Sequence, residues 1–179
     1  LMHHYTLTVT REVDEQYVSF PFRFELTVKL PAEALWRQWE DTHADHRSSW
    51  LWPTQYSQPS FDSWPPKKGD LFILTYQIPN PHDPKKPKKN ATYQFNVLEW
   101  DAEGRVFSYR ATDDHPFLKG GGTVTILAID GNTSRLVWEG KYQHITGHPG
   151  KEAQGDVFAF FLCSFFTATA QNVKKQVGV

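Results

Sequence analysis

The sequence predicts an α+β domain, and three observations carry the prediction. Every second residue from Phe20 to Leu30 is apolar (Phe20, Phe22, Phe24, Leu26, Val28, Leu30), and Arg23, Glu25, Thr27 and Lys29 lie between them. A period of two places those apolar side chains on one sheet face. Residues 71–145 hold five segments rich in β-branched and aromatic residues, which predict an antiparallel meander. Glu152 to Val177 carries no proline and reads as one long closing helix.

The elements follow in order. Tyr5, Leu7 and Val9 alternate with Thr6, Thr8 and Thr10 as a short leading strand, and Arg11 to Gln16 turn the chain into the long strand. Pro21 removes a ladder donor, which places the start of that strand at an edge or bulge. Pro31 fixes φ and lacks an N–H, so it suits the first turn of a helix over about Ala32–Glu40. A second short helix is predicted over Ala44–Trp50, ending before Pro53. Strands are expected at Leu71–Ile78, Thr92–Trp100, Arg105–Thr112, Thr123–Ile129 and Ser134–Ile145. Asp101-Ala102-Glu103-Gly104 and Asp130-Gly131-Asn132 are short turns that make their neighbours hairpins.

With 179 residues the chain is most simply one domain over 18–179, preceded by an extension (1–17) with a short strand. A formal net charge of −1 gives no basic field for nucleic acid. Cys163 is the only cysteine, which excludes an intramolecular disulfide and a thiolate zinc site. No metal or other cofactor is expected. No uninterrupted apolar leader is visible, and Val157–Phe166 is too short to span a bilayer, so a cytoplasmic protein without a membrane span is expected. Aromatic residues make up 15%, with seven Trp and thirteen Phe, a load that suits either a dense core or a cavity walled by rings.

The chain resembles the START-type (SRPBCC) helix-grip superfamily. The resemblance rests on the strand entering Leu30-Pro31-Ala32-Glu33-Ala34-Leu35-Trp36 and on Trp50-Leu51-Trp52-Pro53. Lys68-Gly69-Asp70, Val97-Leu98-Glu99-Trp100-Asp101, Gly104-Arg105-Val106-Phe107-Ser108-Tyr109-Arg110 and Thr133-Ser134-Arg135-Leu136-Val137-Trp138-Glu139 are similar to its later strands. It implies a curved antiparallel sheet wrapped around a long C-terminal helix, with two short helices after the first long strand and a hydrophobic cavity between sheet and helix. Its members include lipid carriers, polyketide cyclases or aromatases, and activators of a heat-shock ATPase. They share no catalytic motif, so the resemblance assigns no catalytic residue here. Met2–Gln16, the Pro/Lys-rich segment Pro79–Asn90 and the phenylalanine-laden last helix depart from the family pattern.

Strand parity supplies the candidate wall. Leu136, Trp138, Gly140, Tyr142 and His144 share the inward face, while Arg135, Glu139, Lys141 and Gln143 point to solvent. Phe72, Leu74 and Tyr76 face inward by the same reasoning, as do Tyr93, Phe95 and Val97, and Phe107 with Tyr109. Trp50 and the helix residues Phe158, Leu162 and Phe165 complete the expected ligand contacts. Tyr76, Tyr93, Tyr109, Tyr142 and His144 carry polar tips, and a buried one without a partner costs about 1–3 kcal/mol. They therefore satisfy one another, or meet water or a ligand.

Three functions fit this pattern. The first is binding or transport of an apolar or aromatic small molecule. The second is a cyclase- or dehydratase-like enzyme without metal, with His144 as general acid or base and Tyr142 as donor to an oxyanion. The third is a protein-interaction module.

Other features have plainer readings. His43 and His46 lack a third ligand at matching spacing and read as a polar helix face. Gly120-Gly121-Gly122 precedes a strand instead of a helix, which rejects a phosphate loop and leaves a hairpin loop. The lysines of 85–89 read as a solvated tip. On the last helix, the stripe Phe158, Leu162, Phe165, Phe166, Thr169 and Val173 should face the sheet. Val157, Phe160 and Phe161 then need another cover: a homodimer through this helix, the leading strand or a bound ligand, with dimer and ligand as equal candidates. Cys163 reads as a small buried hydrophobe.

Overall fold

A computed structural model describes residues 5–44, 57–78, 89–113, 118–145 and 151–177. In chain order its elements are β1 (Tyr5–Val9), β2 (Glu12–Val13), β3 (Tyr17–Val28), α1 (Ala32–Ala44) and β4 (Ser57–Phe61). There follow β5 (Leu71–Ile78), β6 (Lys89–Asp101), β7 (Val106–Ala111), β8 (Leu118–Ala128), β9 (Ser134–Ile145) and α2 (Lys151–Gln176). All strands belong to one antiparallel sheet in the order β1-β3-β9-β8-β7-β6-β5-β4, with β2 also on β3. The fold is the α+β helix-grip arrangement, a large curved sheet with the long last helix against it.

Alternation makes β3 the spine of this sheet. Phe20, Phe22, Phe24, Leu26 and Val28 are all buried, and Arg23 on the opposite face is exposed. Arg23 there bridges Glu25 and Glu139 across the outer surface. At about 1.5–3 kcal/mol for each large side chain fully buried, this strand is a principal contributor to the core.

Pro21 is a correction. β3 is not an edge strand: β9 pairs it along its whole length on one side, and β1 and β2 pair it on the other. The outer ladder breaks between Val9↔Phe22 and Glu12↔Ser19, and Pro21 sits at that break. Its carbonyl accepts the Thr10 N–H there (3.0 Å), so its missing donor also points to the break and leaves the β9 ladder intact.

Helix α1 begins after Pro31, whose carbonyl accepts the Leu35 N–H (2.9 Å). It runs one turn further than the apolar pattern indicated. Leu35, Trp36 and Trp39 are buried, and Glu33 and Arg37 face out. Trp39 meets Trp36 edge-on at 5.0 Å, Trp100 at 5.4 Å, Trp64 at 6.0 Å and Phe107 at 5.8 Å. The indole N–H groups of Trp36 and Trp64 both end on Glu40, at its carboxylate and its backbone carbonyl. Arg105, at φ 56°, reaches the Ile126 carbonyl (3.0 Å) and Glu33, which ties the β6–β7 turn to the first turn of α1. The predicted second helix beyond Ala44 lies outside the described residues, as does most of the Pro/Lys-rich segment.

β5 and β9 match their predicted bounds, whereas β2 and β4 were not expected. β4 is only five residues long and has Pro59 at its centre. β8 starts at Leu118, not Thr123, because the three glycines are strand and not loop. A Cβ on Gly121 would lie 2.0 Å from the Tyr109 carbonyl oxygen, and one on Gly140 would lie 2.1 Å from the Gly121 oxygen. These glycines let neighbouring backbones approach closely across the sheet.

Along α2, Leu162, Phe165, Phe166, Thr169 and Val173 are buried against the sheet as the stripe required. The side chains of Val157, Phe158, Phe160 and Phe161 lie outside the described residues. Cys163 is exposed, which corrects its reading as a buried hydrophobe. One residue past Leu162, it is turned about 100° around the helix, off the sheet-facing stripe.

Candidate functional site

Four strands bring the candidate site together. In β9, Leu136, Trp138 and Tyr142 are buried on the inward face, with Gly140 between the two larger rings. In β7 the inward residues are Phe107 and Tyr109. Register aligns Tyr109, Gly122, Gly140 and Phe22 in one row across β7, β8, β9 and β3. The two central members have no side chain, so the rings at each end of the row lean in over the gap.

The polar tips meet above this row. The Tyr109 and Tyr142 hydroxyls are hydrogen-bonded at 2.5 Å, and the Trp138 Nε1–H donates to the Tyr109 hydroxyl at 3.0 Å. All three side chains are buried. Phe22 stacks on Tyr142 (5.2 Å), and Phe166 of α2 covers both Phe22 (5.1 Å) and Trp138 (5.0 Å). Phe165 closes on Trp138 from the same helix at 5.6 Å. On the other side, Tyr109 meets Phe72 (5.8 Å) and Phe95 (5.5 Å) edge-on. The arrangement is a hydrogen-bonded trio set in a wall of rings, between the sheet and the C-terminal half of α2.

Burial decides the protonation of Tyr109. It lifts Tyr109 well above the usual phenol range, against the lesser opposing pull of its bonds to Tyr142 and Trp138. Tyr93, half-buried in β6, is raised by the same loss of solvation. Tyr109 is therefore a neutral hydroxyl near neutrality, able to donate or accept a hydrogen bond but not to act as a phenolate base.

Of the predicted contacts, Phe72, Leu74, Phe95, Tyr109, Leu136, Trp138, Tyr142, Leu162 and Phe165 are buried on the inward side, while Tyr93 is only half-buried. His144 lies in β9 opposite Val18 and Leu118, and Tyr76 lies in β5 opposite Ser57 and Ala91. The side chains of His144, Tyr76 and Phe158 are outside the described residues, and so is Trp50 entirely. Phe22 and Gly122 were missing from the predicted site. Phe22 was available from the alternating run, whereas Gly122 becomes visible only through its neighbours on other strands. Among the described residues no group of three His, Cys, Asp or Glu side chains is placed to hold a metal ion, and no helix is long and apolar enough to cross a membrane.

Comparison with known proteins places this geometry in context. A family model described as polyketide cyclase / dehydrase and lipid transport matches residues 20–178. No curated protein matches the sequence. Norcoclaurine synthase from Thalictrum flavum superposes with a TM-score of 0.58 at 16% identity, covering 90% of this chain and 87% of that one. The Zhui aromatase/cyclase from a Streptomyces species gives 0.51 at 15% identity over 97% and 96% of the two chains. A major latex-like protein from Panax ginseng gives 0.56 at 11% identity over 88% and 96%. At these identities the likeness is one of fold.

Proposed function

The chain belongs to the polyketide cyclase/dehydrase and lipid transport family, and from that premise we propose that it binds an apolar or aromatic small molecule between its sheet and α2. The observation that carries this reading is the Tyr109–Tyr142–Trp138 trio, polar atoms held inside an otherwise aromatic wall. Sites for small molecules combine such walls with a few convergent polar groups that orient the ligand. A flat ring fits the edge-on and stacked surfaces of Phe22, Phe166 and Trp138.

The test is mass spectrometry of the organic fraction released when the purified protein is denatured. An apolar or aromatic compound at near-stoichiometric amount, absent from a Trp138→Ala preparation, supports the reading. A folded protein that releases nothing and takes up no apolar dye would overturn it.

The family description and the aromatase/cyclase among the structural neighbours favour a second reading, acid/base catalysis at the same place. There His144 would take or return a proton next to a carbonyl, and Tyr142 would donate to the oxygen on which charge develops. His144→Ala separates the two readings. Abolished turnover with unchanged ligand affinity supports catalysis, and unchanged turnover removes His144 from it.

A further inference from the structure

The glycines of β8 and β9 are not equivalent. A Cβ on Gly120, Gly121 or Gly140 would come within 2.1 Å of a backbone oxygen, and Gly120 also has φ +93°. Any side chain there displaces a strand. Gly122 differs: its nearest atoms would be Trp138 Nε1 at 3.0 Å, the Tyr109 hydroxyl at 3.0 Å and Phe22 Cζ at 3.2 Å. All three are side-chain atoms, and two of them are the partners in the Trp138–Tyr109 hydrogen bond. The Gly122 backbone itself is ordinary strand, paired with Tyr109 on one side and Gly140 on the other.

We propose that Gly122 is a positioning residue for the trio, its missing side chain being the seat in which the Trp138 N–H and the Tyr109 hydroxyl meet across β8. Tyr109 and Trp138 stand on strands separated by β8, and their tips close the distance only by bending over the residue between them. A methyl group at 122 would press on both ends of that bond, since contacts of 3.0 Å from a Cβ are shorter than packed neighbours tolerate. The Tyr109 hydroxyl, with its link to Tyr142, would then be re-aimed. This deepens the binding site proposed above and rests on that reading only for its consequence on ligand uptake. The seating of the trio stands on geometry alone.

The experiment compares wild type, Gly122→Ala, Tyr109→Phe and the double variant without any ligand, by the Trp138 indole N–H resonance in ¹⁵N-labelled protein and by urea midpoint. Gly122→Ala should shift that resonance from its hydrogen-bonded position and lower the midpoint. The destabilisation caused by Gly122→Ala should be smaller in the Tyr109→Phe background, because removing the hydroxyl vacates the space the methyl needs. Should Gly122→Ala alone fail to fold, folding of the double variant carries the same support. An unmoved Trp138 resonance in Gly122→Ala would overturn the proposal. So would equal destabilisation in both backgrounds, or failure of the double variant to fold, since either makes Gly122 a backbone requirement like Gly121. Uptake of an anilinonaphthalene sulfonate dye by wild type is read separately. If the dye does not bind while the resonance behaves as expected, the binding reading fails and the seating of the trio stands.

Discussion

Under α1, four tryptophans pack ring against ring, and the N–H groups of Trp36 and Trp64 leave the cluster for Glu40 on the helix. Under α2, Tyr109, Tyr142 and Trp138 do the reverse and turn their polar atoms toward one another in the interior. Both regions belong to one continuous core. The Trp36 and Trp64 N–H groups thus end on α1 while the Trp39 Nε1 stays buried among the rings, and the interior of the cluster is otherwise apolar, which suits an anchor. A polar atom kept inside can trade its partner for that of an incoming molecule, which suits a site. On the proposed binding reading, the contrast separates what holds the fold from what would meet a ligand.

The comparison breaks most visibly at Trp39. Trp39→Ala empties the centre of the first cluster and should cost about 3–5 kcal/mol in denaturant unfolding; a loss near zero would mean that the cluster anchors nothing. Tyr109→Phe removes the acceptor of the Trp138 N–H and the partner of Tyr142 together, for an expected loss of about 1–3 kcal/mol by the same measurement. It should also weaken ligand or dye uptake, which no substitution at Trp64 should do beyond its effect on folding.

Alkaline titration sharpens the contrast further. Below pH 10, the ordinary phenol value, folded and unfolded chains both keep the Tyr109 proton. Above it the unfolded chain releases the proton and the folded chain retains it, so stability falls as pH rises toward the folded value. The slope from this one group is at most about 1.4 kcal/mol per pH unit. Urea midpoints measured across that range should show this component missing from Tyr109→Phe. Tyr142→Phe leaves the Trp138–Tyr109 bond in place and should cost only about 1 kcal/mol in urea. Glu139→Gln, outside both clusters, loosens the exposed bridge to Arg23 and should change stability by less than about 1 kcal/mol, with the difference vanishing in high salt.

Much of the fold was legible because period-two patterning is local. β3, β5 and β9 declare their faces within a dozen residues each, and Pro31 marks the start of α1. β4 escaped because Ser57, Gln58, Pro59 and Ser60 have no apolar alternation; pairing with β5 alone makes them a strand. The β8 glycines read as a loop because their reason lies across the sheet, in the Lys141 backbone, the Tyr109 carbonyl and the Trp138 and Tyr109 side chains. Parity alone brought Tyr109 and Tyr142 to the same face, but not to each other, since nothing within either strand encodes a bond between residues 33 positions apart. Cys163 was misread because residue type suggested burial, whereas its place on the helix faces away from the stripe.

An open sheet is a template for its own extension, because a bare outer strand offers unpaired N–H and C=O groups to any extended chain. Here that opportunity is small at both ends. One end is closed by β1 and β2, five and two residues long with a break at Pro21 between them. The other is β4, five residues with a proline in the middle. Neither gives a second molecule a long, regular ladder on which to add a strand. A curved sheet broad enough to close around a helix is thereby kept from growing edge to edge into aggregates.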